Sequence, residues 1–122
     1  MARTVFLRGR EEIESIRAAA QLVARTLAML GREVHPGVST ASLDRLAATF
    51  IRDHGGRPAF KGYRGFPASI CSSINDEVVH GIPGPRSLVE GDIVGIDVGV
   101  EKDGYYGDAA FTFAVGNVSE QA

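Results

Sequence analysis

Apolar residues recur at steps of three and four along two segments of the chain, which predicts two amphipathic helices. The first helix is expected at about 10–31, with Gly31 as its end, and the second at about 40–54, before Gly55-Gly56. Their predicted buried stripes are Ile13, Ile16, Ala20, Val23, Leu27 and Leu30 in the first helix, and Leu43, Leu46, Ala47, Phe50 and Ile51 in the second.

After residue 56 the helical period disappears. Residues 57–67 mix glycine with aromatic residues and predict an irregular loop. Strands are expected at 68–74, 78–80, 92–101 and 105–115, with turns at Asn75-Asp76 and Asp103-Gly104. Two helices followed by antiparallel strands indicate an α+β fold, and a chain of 122 residues indicates a single domain.

The Asp103-Gly104 turn predicts a two-residue hairpin and so fixes a register. In this register Gly99 lies opposite Asp108 and leaves the space there empty, while Asp97 is a diagonal neighbour of Asp108, about 7–8 Å away at the backbone. The other face of the hairpin is apolar and is expected to pack on the helices. It comprises Ile96, Val98, Val100, Ala109, Phe111 and Phe113.

Two carboxylates held close together repel each other, unless one takes up a proton or a cation neutralises them. Oxygen ligands of this kind suit hard or borderline divalent ions. From their spacing alone, Asp97 and Asp108 favour a solvated sheet surface over a metal site, because aspartate is common on protein surfaces.

Net charge, cysteine content and the length of apolar runs limit the binding partners and the cellular location that the sequence allows. The formal net charge is -2 without a long run of one sign, so nothing favours nucleic acid or an anionic membrane. Cys71 is the only cysteine, which excludes an intrachain disulfide. Without an evident signal peptide, a cytoplasmic location is expected. No stretch approaches the roughly 20 apolar residues of a membrane-spanning helix.

Four ordered motifs resemble the type I methionine aminopeptidases of the M24 metallopeptidase family. They are Tyr-Arg-Gly-Phe-Pro-Ala-Ser-Ile-Cys at 63–71, Asn-Asp-Glu-Val-Val-His-Gly-Ile-Pro at 75–83, Gly-Asp-Ile-Val-Gly-Ile-Asp-Val-Gly at 91–99 and Asp-Gly-Tyr-Tyr-Gly-Asp at 103–108. The resemblance begins at about residue 8. It implies the first of the two pseudo-symmetric halves of a pita-bread fold, with two N-terminal helices packed on an antiparallel sheet.

The resemblance also implies roles for individual residues. A pair of divalent metal ions (Co, Mn, Fe or Zn) would activate a water that attacks the scissile carbonyl and releases an N-terminal methionine. Asp97 and Asp108 match metal ligands. His80 matches a catalytic residue that also contacts substrate, and Tyr63, Phe66 and Cys71 match the methionine pocket. Taken singly, the histidine would be structural, the aromatics would be loop residues and the cysteine a small core residue.

This sequence departs from the family in length, because family members are about twice as long. The missing part supplies one histidine and two glutamates as further ligands; His35 and His54 match no ligand motif. Three hypotheses follow. In the first, the chain is half of the enzyme and is weakly active or inactive alone. In the second, it is a designed or reconstructed homodimer that rebuilds a metal cavity from two copies. In the third, it is a non-catalytic peptide-binding or structural module. The expected partners are peptides with N-terminal methionine, and a second copy or a complementary half.

Overall fold

A computed structural model describes residues 9–75 and 81–116 and confirms the α+β prediction. The predicted strand at 78–80 lies outside the described residues. A 3-10 turn at Tyr63–Gly65 lies inside the predicted loop. The helices and strands are α1 (Arg10–Glu33), α2 (Thr40–Asp53), β1 (Arg57–Pro58), β2 (Ile70–Ile74), β3 (Ile93–Lys102) and β4 (Tyr105–Ala114).

Strand β3 is the centre of the sheet. It pairs antiparallel with β4 along its whole length, and on its other side with β2 and β1. Gly99 lies opposite Asp108, so the predicted register is confirmed. The reason is the turn, where Asp103 and Gly104 have φ of 53° and 85°, the two positive values that a type I′ hairpin turn requires.

Helix α1 runs two residues beyond its predicted end at Gly31. Gly31 does not adopt the left-handed conformation that ends a helix. Its missing side chain serves packing, because a Cβ there would lie 2.7 Å from Cε1 of Phe113 on β4. The glycine therefore marks a close approach between α1 and β4 rather than a stop.

The buried face of α1 is rotated from the predicted stripe. Val23 and Leu30 are buried as expected, whereas Ile13 is 44% exposed and Ala20 is exposed. The residues that α1 does bury are Ala19, Leu22, Val23, Thr26 and Leu30. On α2 the expected Leu43, Ala47 and Ile51 are buried, but Leu46 is 39% exposed.

The apolar face of the hairpin is covered only in part, which corrects the prediction that it packs on the helices throughout. Ile96, Val98 and Val100 of β3 are buried, as predicted, but Ala109 and Phe111 of β4 are exposed. Helix α1 touches β4 near both of its ends. Gly107 lies against the backbone of Ala19, where a Cβ would meet Ala19 C at 3.1 Å, and Phe113 lies against Gly31.

The start of β3 is fixed by Asp92, which is 6% exposed. Its carboxylate accepts hydrogen bonds from the backbone N–H of Val89 at 2.9 Å and from the side-chain amide of Asn75 at 3.0 Å. These bonds, helped by the guanidinium of Arg86 at 3.7 Å, hold the pKa of Asp92 below its usual range despite burial. Among the described helices, none has the length and apolar character needed to cross a membrane.

Candidate metal centre

Asp97 and Asp108 share one face of the β3–β4 hairpin. Asp97 lies opposite Ala110 and Asp108 opposite Gly99, so the two aspartates are diagonal neighbours as predicted. Both are exposed, on the face opposite the one that carries Ile96 and Val98. Neither carboxylate has a hydrogen bond or ion pair within the parts of the chain that the structure describes. Their oxygens are therefore open to a ligand from solvent.

The space over Gly99 is filled, which corrects the expectation that it is empty. The ring of Phe60 lies on Gly99, where a Cβ would approach its Cε1 to 2.7 Å and its Cζ to 3.0 Å. Sequence reasoning missed Phe60 as a site residue. A glycine in the middle of a strand often marks such a close approach, and this signal could have found it.

Cys71 lies directly opposite Asp97 across the β2–β3 pair, so its thiol is on the carboxylate face. Burial raises the pKa of the Cys71 thiol, and the negative charge of Asp97 raises it further. The N-terminal end of β2 is held by Asp44 of α2. Its Oδ1 accepts hydrogen bonds from the backbone N–H of Ser69 at 2.7 Å and of Ile70 at 2.9 Å.

A cavity of about 410 Å³ opens beside this face and is mostly apolar. The three predicted pocket residues Tyr63, Phe66 and Cys71 all line it, so the structure brings them together next to Asp97. The predicted catalytic residue His80 lies outside the described residues. The full lining is Phe60, Tyr63, Arg64, Gly65, Phe66, Pro67, Cys71 and Ile82.

Aromatic and backbone geometry shape the cavity wall. Phe60 and Phe66 meet edge to face with ring centroids 6.5 Å apart. Arg64 has a left-handed φ of 50°, which is uncommon for a residue with a side chain, and its guanidinium carbon lies 5.4 Å from the centroid of the Tyr63 ring. Tyr63 is 63% exposed at the rim and available to a ligand.

The two carboxylates are not part of a larger ligand cluster in residues 9–75 and 81–116, where no group of three His, Cys, Asp or Glu side chains could hold a metal ion. His35 and His54 bond to the backbone oxygens of Pro36 and Phe50, at 3.2 and 2.8 Å, as structural residues would. The described site is thus a pair of carboxylates beside an apolar cavity.

Known proteins resemble this chain in both sequence and fold. The methionine aminopeptidases of Clostridium acetobutylicum and Helicobacter pylori are 54% and 51% identical over 119 and 117 residues. These matches cover 97% and 96% of the chain and 48% and 46% of the relatives. The chain therefore spans less than half the length of these relatives.

Solved structures agree. The crystal structure of methionine aminopeptidase from Rickettsia prowazekii superposes with a TM-score of 0.88 at 45% identity, and that from Thermotoga maritima with 0.87 at 38%. Each match covers 93% of this chain and 46% of the other, and these neighbours have the pita-bread fold that the resemblance implied. Members of the matching family are metallopeptidases, which fits a carboxylate pair open to a divalent ion. Residues 14–122 match Metallopeptidase family M24, and the chain belongs to that family.

Proposed function

We propose that this chain supplies the N-terminal, first pseudo-symmetric half of a methionine aminopeptidase as a single domain, with its half of the metal site and of the methionine pocket. The observation that carries the proposal is the shared face. Asp97 and Asp108 lie on it as diagonal neighbours, and Cys71 joins them from β2 at the edge of the apolar cavity.

Asp97 and Asp108 would hold the divalent ion. They fit it because ionised carboxylates are acceptor-only ligands, and these two lack protein partners among the described residues. A bound divalent ion would supply Lewis-acid polarisation of the scissile carbonyl. Cobalt, manganese, iron and zinc all accept such ligands, and the carboxylate pair does not select among them.

The cavity would take the methionine side chain. A thioether is apolar and polarisable and packs well against aromatic rings, which Phe60, Tyr63 and Phe66 provide. The Cys71 thiol, kept protonated by its raised pKa, adds a small neutral wall. His80, from the run 75–83, would contact the scissile amide as a catalytic residue.

Two carboxylates bind a divalent ion more weakly than the larger ligand set implied for the family. A complementary half or a second copy would therefore complete the site, and the chain alone would be weakly active or inactive. The substrates would be peptides with N-terminal methionine, and the cytoplasm is the expected compartment. Nothing in the charge distribution favours nucleic acid as a partner.

Metal titration tests the ligand assignment directly. Mn²⁺ or Co²⁺ would be titrated calorimetrically into the native chain and into Asp97→Asn, Asp108→Asn and Asp53→Asn variants. Asp53 is an exposed aspartate at the end of α2 and serves as the matched control. We expect affinity to fall at least tenfold for the first two variants only. Equal binding by all four proteins would refute the assignment.

Catalysis is tested by hydrolysis of a Met-Ala-Ser peptide, with and without a supplied polypeptide corresponding to the relatives' second half. Activity that appears only on complementation, and that is lost in Asp97→Asn, is the expected result. If metal and peptide bind but no complemented mixture hydrolyses the peptide, the chain is a non-catalytic binding module and the proposal fails.

A further inference from the structure

A second cavity adjoins the one proposed to take the methionine side chain. Its volume is about 380 Å³, and its lining is mainly polar, whereas that of the first cavity is mostly apolar. Tyr63 lines both, so the two cavities are neighbours on one side of the sheet. The lining of the second cavity comprises Arg57, Ala59, Lys61, Gly62, Tyr63 and Tyr106.

Strand pairing places the second cavity one row away from the carboxylates. Arg57, Glu101 and Tyr106 are direct partners across β1, β3 and β4. Glu101 is four residues from Asp97, and Tyr106 is two residues from Asp108, so this row shares the carboxylate face. Two residues along a strand span roughly 7 Å, which is therefore the backbone distance between Asp108 and Tyr106.

Lys61 carries the unpaired positive charge of this lining. The charge of Arg57 is balanced by Glu101, whose Oε1 accepts a hydrogen bond from Arg57 Nε at 2.7 Å. The exposed ammonium of Lys61, in contrast, has no hydrogen bond or ion pair with any residue in 9–75 or 81–116. The second cavity therefore offers one cation to an anionic ligand.

A tight turn holds Lys61 at this place. The backbone N–H of Tyr63 donates to the carbonyl oxygen of Phe60 at 3.0 Å, which closes a turn with Lys61 and Gly62 at its centre. Gly62 has φ of 84° and ψ of -11°, the values that the third residue of a type II turn requires. Its own N–H donates to the carbonyl oxygen of Phe66 at 2.8 Å. The backbone that carries Lys61 is thus anchored beside both cavities.

We propose that the second cavity binds an acidic side chain of the peptide substrate, at the third residue from its N-terminus. The inference rests on the proposed function, which puts the methionine side chain in the first cavity and the scissile bond at the metal site. An extended peptide advances about 3.3–3.6 Å per residue, so its third residue lies roughly 7 Å beyond that bond, as Tyr106 does from Asp108. There the Lys61 ammonium and the tyrosine hydroxyls are donors for a carboxylate, which only accepts hydrogen bonds.

The charge of the two aspartates makes this preference depend on metal. Without a bound ion, Asp97 and Asp108 would repel an acidic side chain one row away. A divalent ion balances their two negative charges and leaves Lys61 to set the sign of the potential at the second cavity. Because Lys61 is exposed, one ion pair there is worth roughly a two- to fivefold effect, which salt reduces.

Peptides of sequence Met-Ala-Xaa-Ser-Ser, with Glu, Gln or Lys as the third residue, test the subsite. Their kcat/KM would be measured with Mn²⁺ and the relatives' second half supplied. The native chain should favour Glu over Gln by about two- to fivefold at low salt and less at high salt, with Lys the poorest. Lys61→Gln should abolish this order, Lys61→Arg should keep it and Lys61→Glu should reverse it. Arg25→Gln, on exposed α1 surface across the sheet, should behave as the native chain.

Position and binding controls separate the outcomes. Moving Glu to the fifth residue should remove its advantage, whereas an equal advantage there, or one that Lys61→Gln leaves unchanged, would overturn the inference. Hydrolysis without any charge preference would also overturn it and leave the proposed function standing. If no mixture hydrolyses the peptides, fluorescein-labelled forms are titrated into the chain with Mn²⁺ and followed by anisotropy. A Lys61-dependent preference for Glu would then support the subsite although the proposed catalysis fails, and its absence would refute the subsite.

Discussion

Replacement of Gly99 by alanine tests whether the Phe60 ring is fixed by the strand beneath it. The new Cβ would lie 2.7 Å from Cε1 of Phe60, against the 3.4 Å at which ordinary contact begins, so the ring must move by roughly 0.7 Å. Overpacking of this kind costs about 1–3 kcal/mol. Loss of the edge-to-face contact between Phe60 and Phe66, worth about 0.5–1.5 kcal/mol, would account for part of that cost.

A methyl group in place of glycine also lowers the conformational entropy of the unfolded chain. This stabilises the folded state by about 0.4–1 kcal/mol. The net destabilisation for Gly99→Ala is therefore about 1–2 kcal/mol. For a chain of 122 residues, 1 kcal/mol corresponds to a shift in Tm of about 4 °C, so the Tm should fall by roughly 4–8 °C. Gly95→Ala is the matched control on the same strand and face, where the nearest atom is Thr112 Oγ1 at 3.9 Å, and its Tm should rise by about 2–4 °C.

Calorimetric scans measure the Tm values of Gly99→Ala and Gly95→Ala. The Phe60→Leu variant tests whether the clash with the Phe60 ring causes the difference between them. In the double variant Phe60→Leu/Gly99→Ala, the smaller side chain should remove most of the cost, with a coupling energy of about 1 kcal/mol. Effects that add to within about 0.3 kcal/mol, or a Gly95→Ala variant as unstable as Gly99→Ala, would refute the reasoning.

Three further substitutions probe the supports of the site. Asp44→Ala leaves two backbone N–H groups at the start of β2 without their acceptor and should lower the unfolding free energy by about 2–4 kcal/mol in urea titrations. Asp92 has a lowered pKa in the folded chain, so its stabilising contribution is present above the unfolded pKa of about 3.9 and is lost as pH falls through the folded pKa. In Asp92→Asn the free energy of unfolding should therefore change less with pH between 5 and 2.5. Asp97→Asn removes a charge that raises the pKa of Cys71, so iodoacetamide should alkylate the thiol faster at pH 8; an unchanged rate would contradict their proximity.

The hairpin could be predicted because its register depends on local chemistry. Only glycine and a few small polar residues tolerate two consecutive positive φ angles, so Asp103-Gly104 fixes the turn, and the turn fixes which residues share a face. The register set by this turn therefore placed Asp97 and Asp108 together without knowledge of any contact between distant segments.

Features that depend on packing between distant segments could not be predicted in this way. The helical period allows several apolar stripes on α1, and contact with β4 decides which one is buried, so Ala19 and Leu22 displace Ile13 and Ala20. Phe60 and Gly99 are 39 positions apart in the sequence, and only the pairing of β1 with β3 brings them together. The family motifs identified Tyr63, Phe66 and Cys71 as pocket residues. Their spacing in the sequence alone does not predict that they line one cavity.

The contact between the first helix and the last strand also sets an order of events during synthesis. Helix α1 leaves the ribosome about 70 residues before β4, whose Gly107 and Phe113 it packs against. At a synthesis rate of about 5–20 residues per second, the apolar face of α1 stays uncovered by β4 for roughly 4–14 s. During this interval the emerging chain presents an uncovered amphipathic helix, so nascent-chain binding factors would meet α1 before the carboxylate face exists.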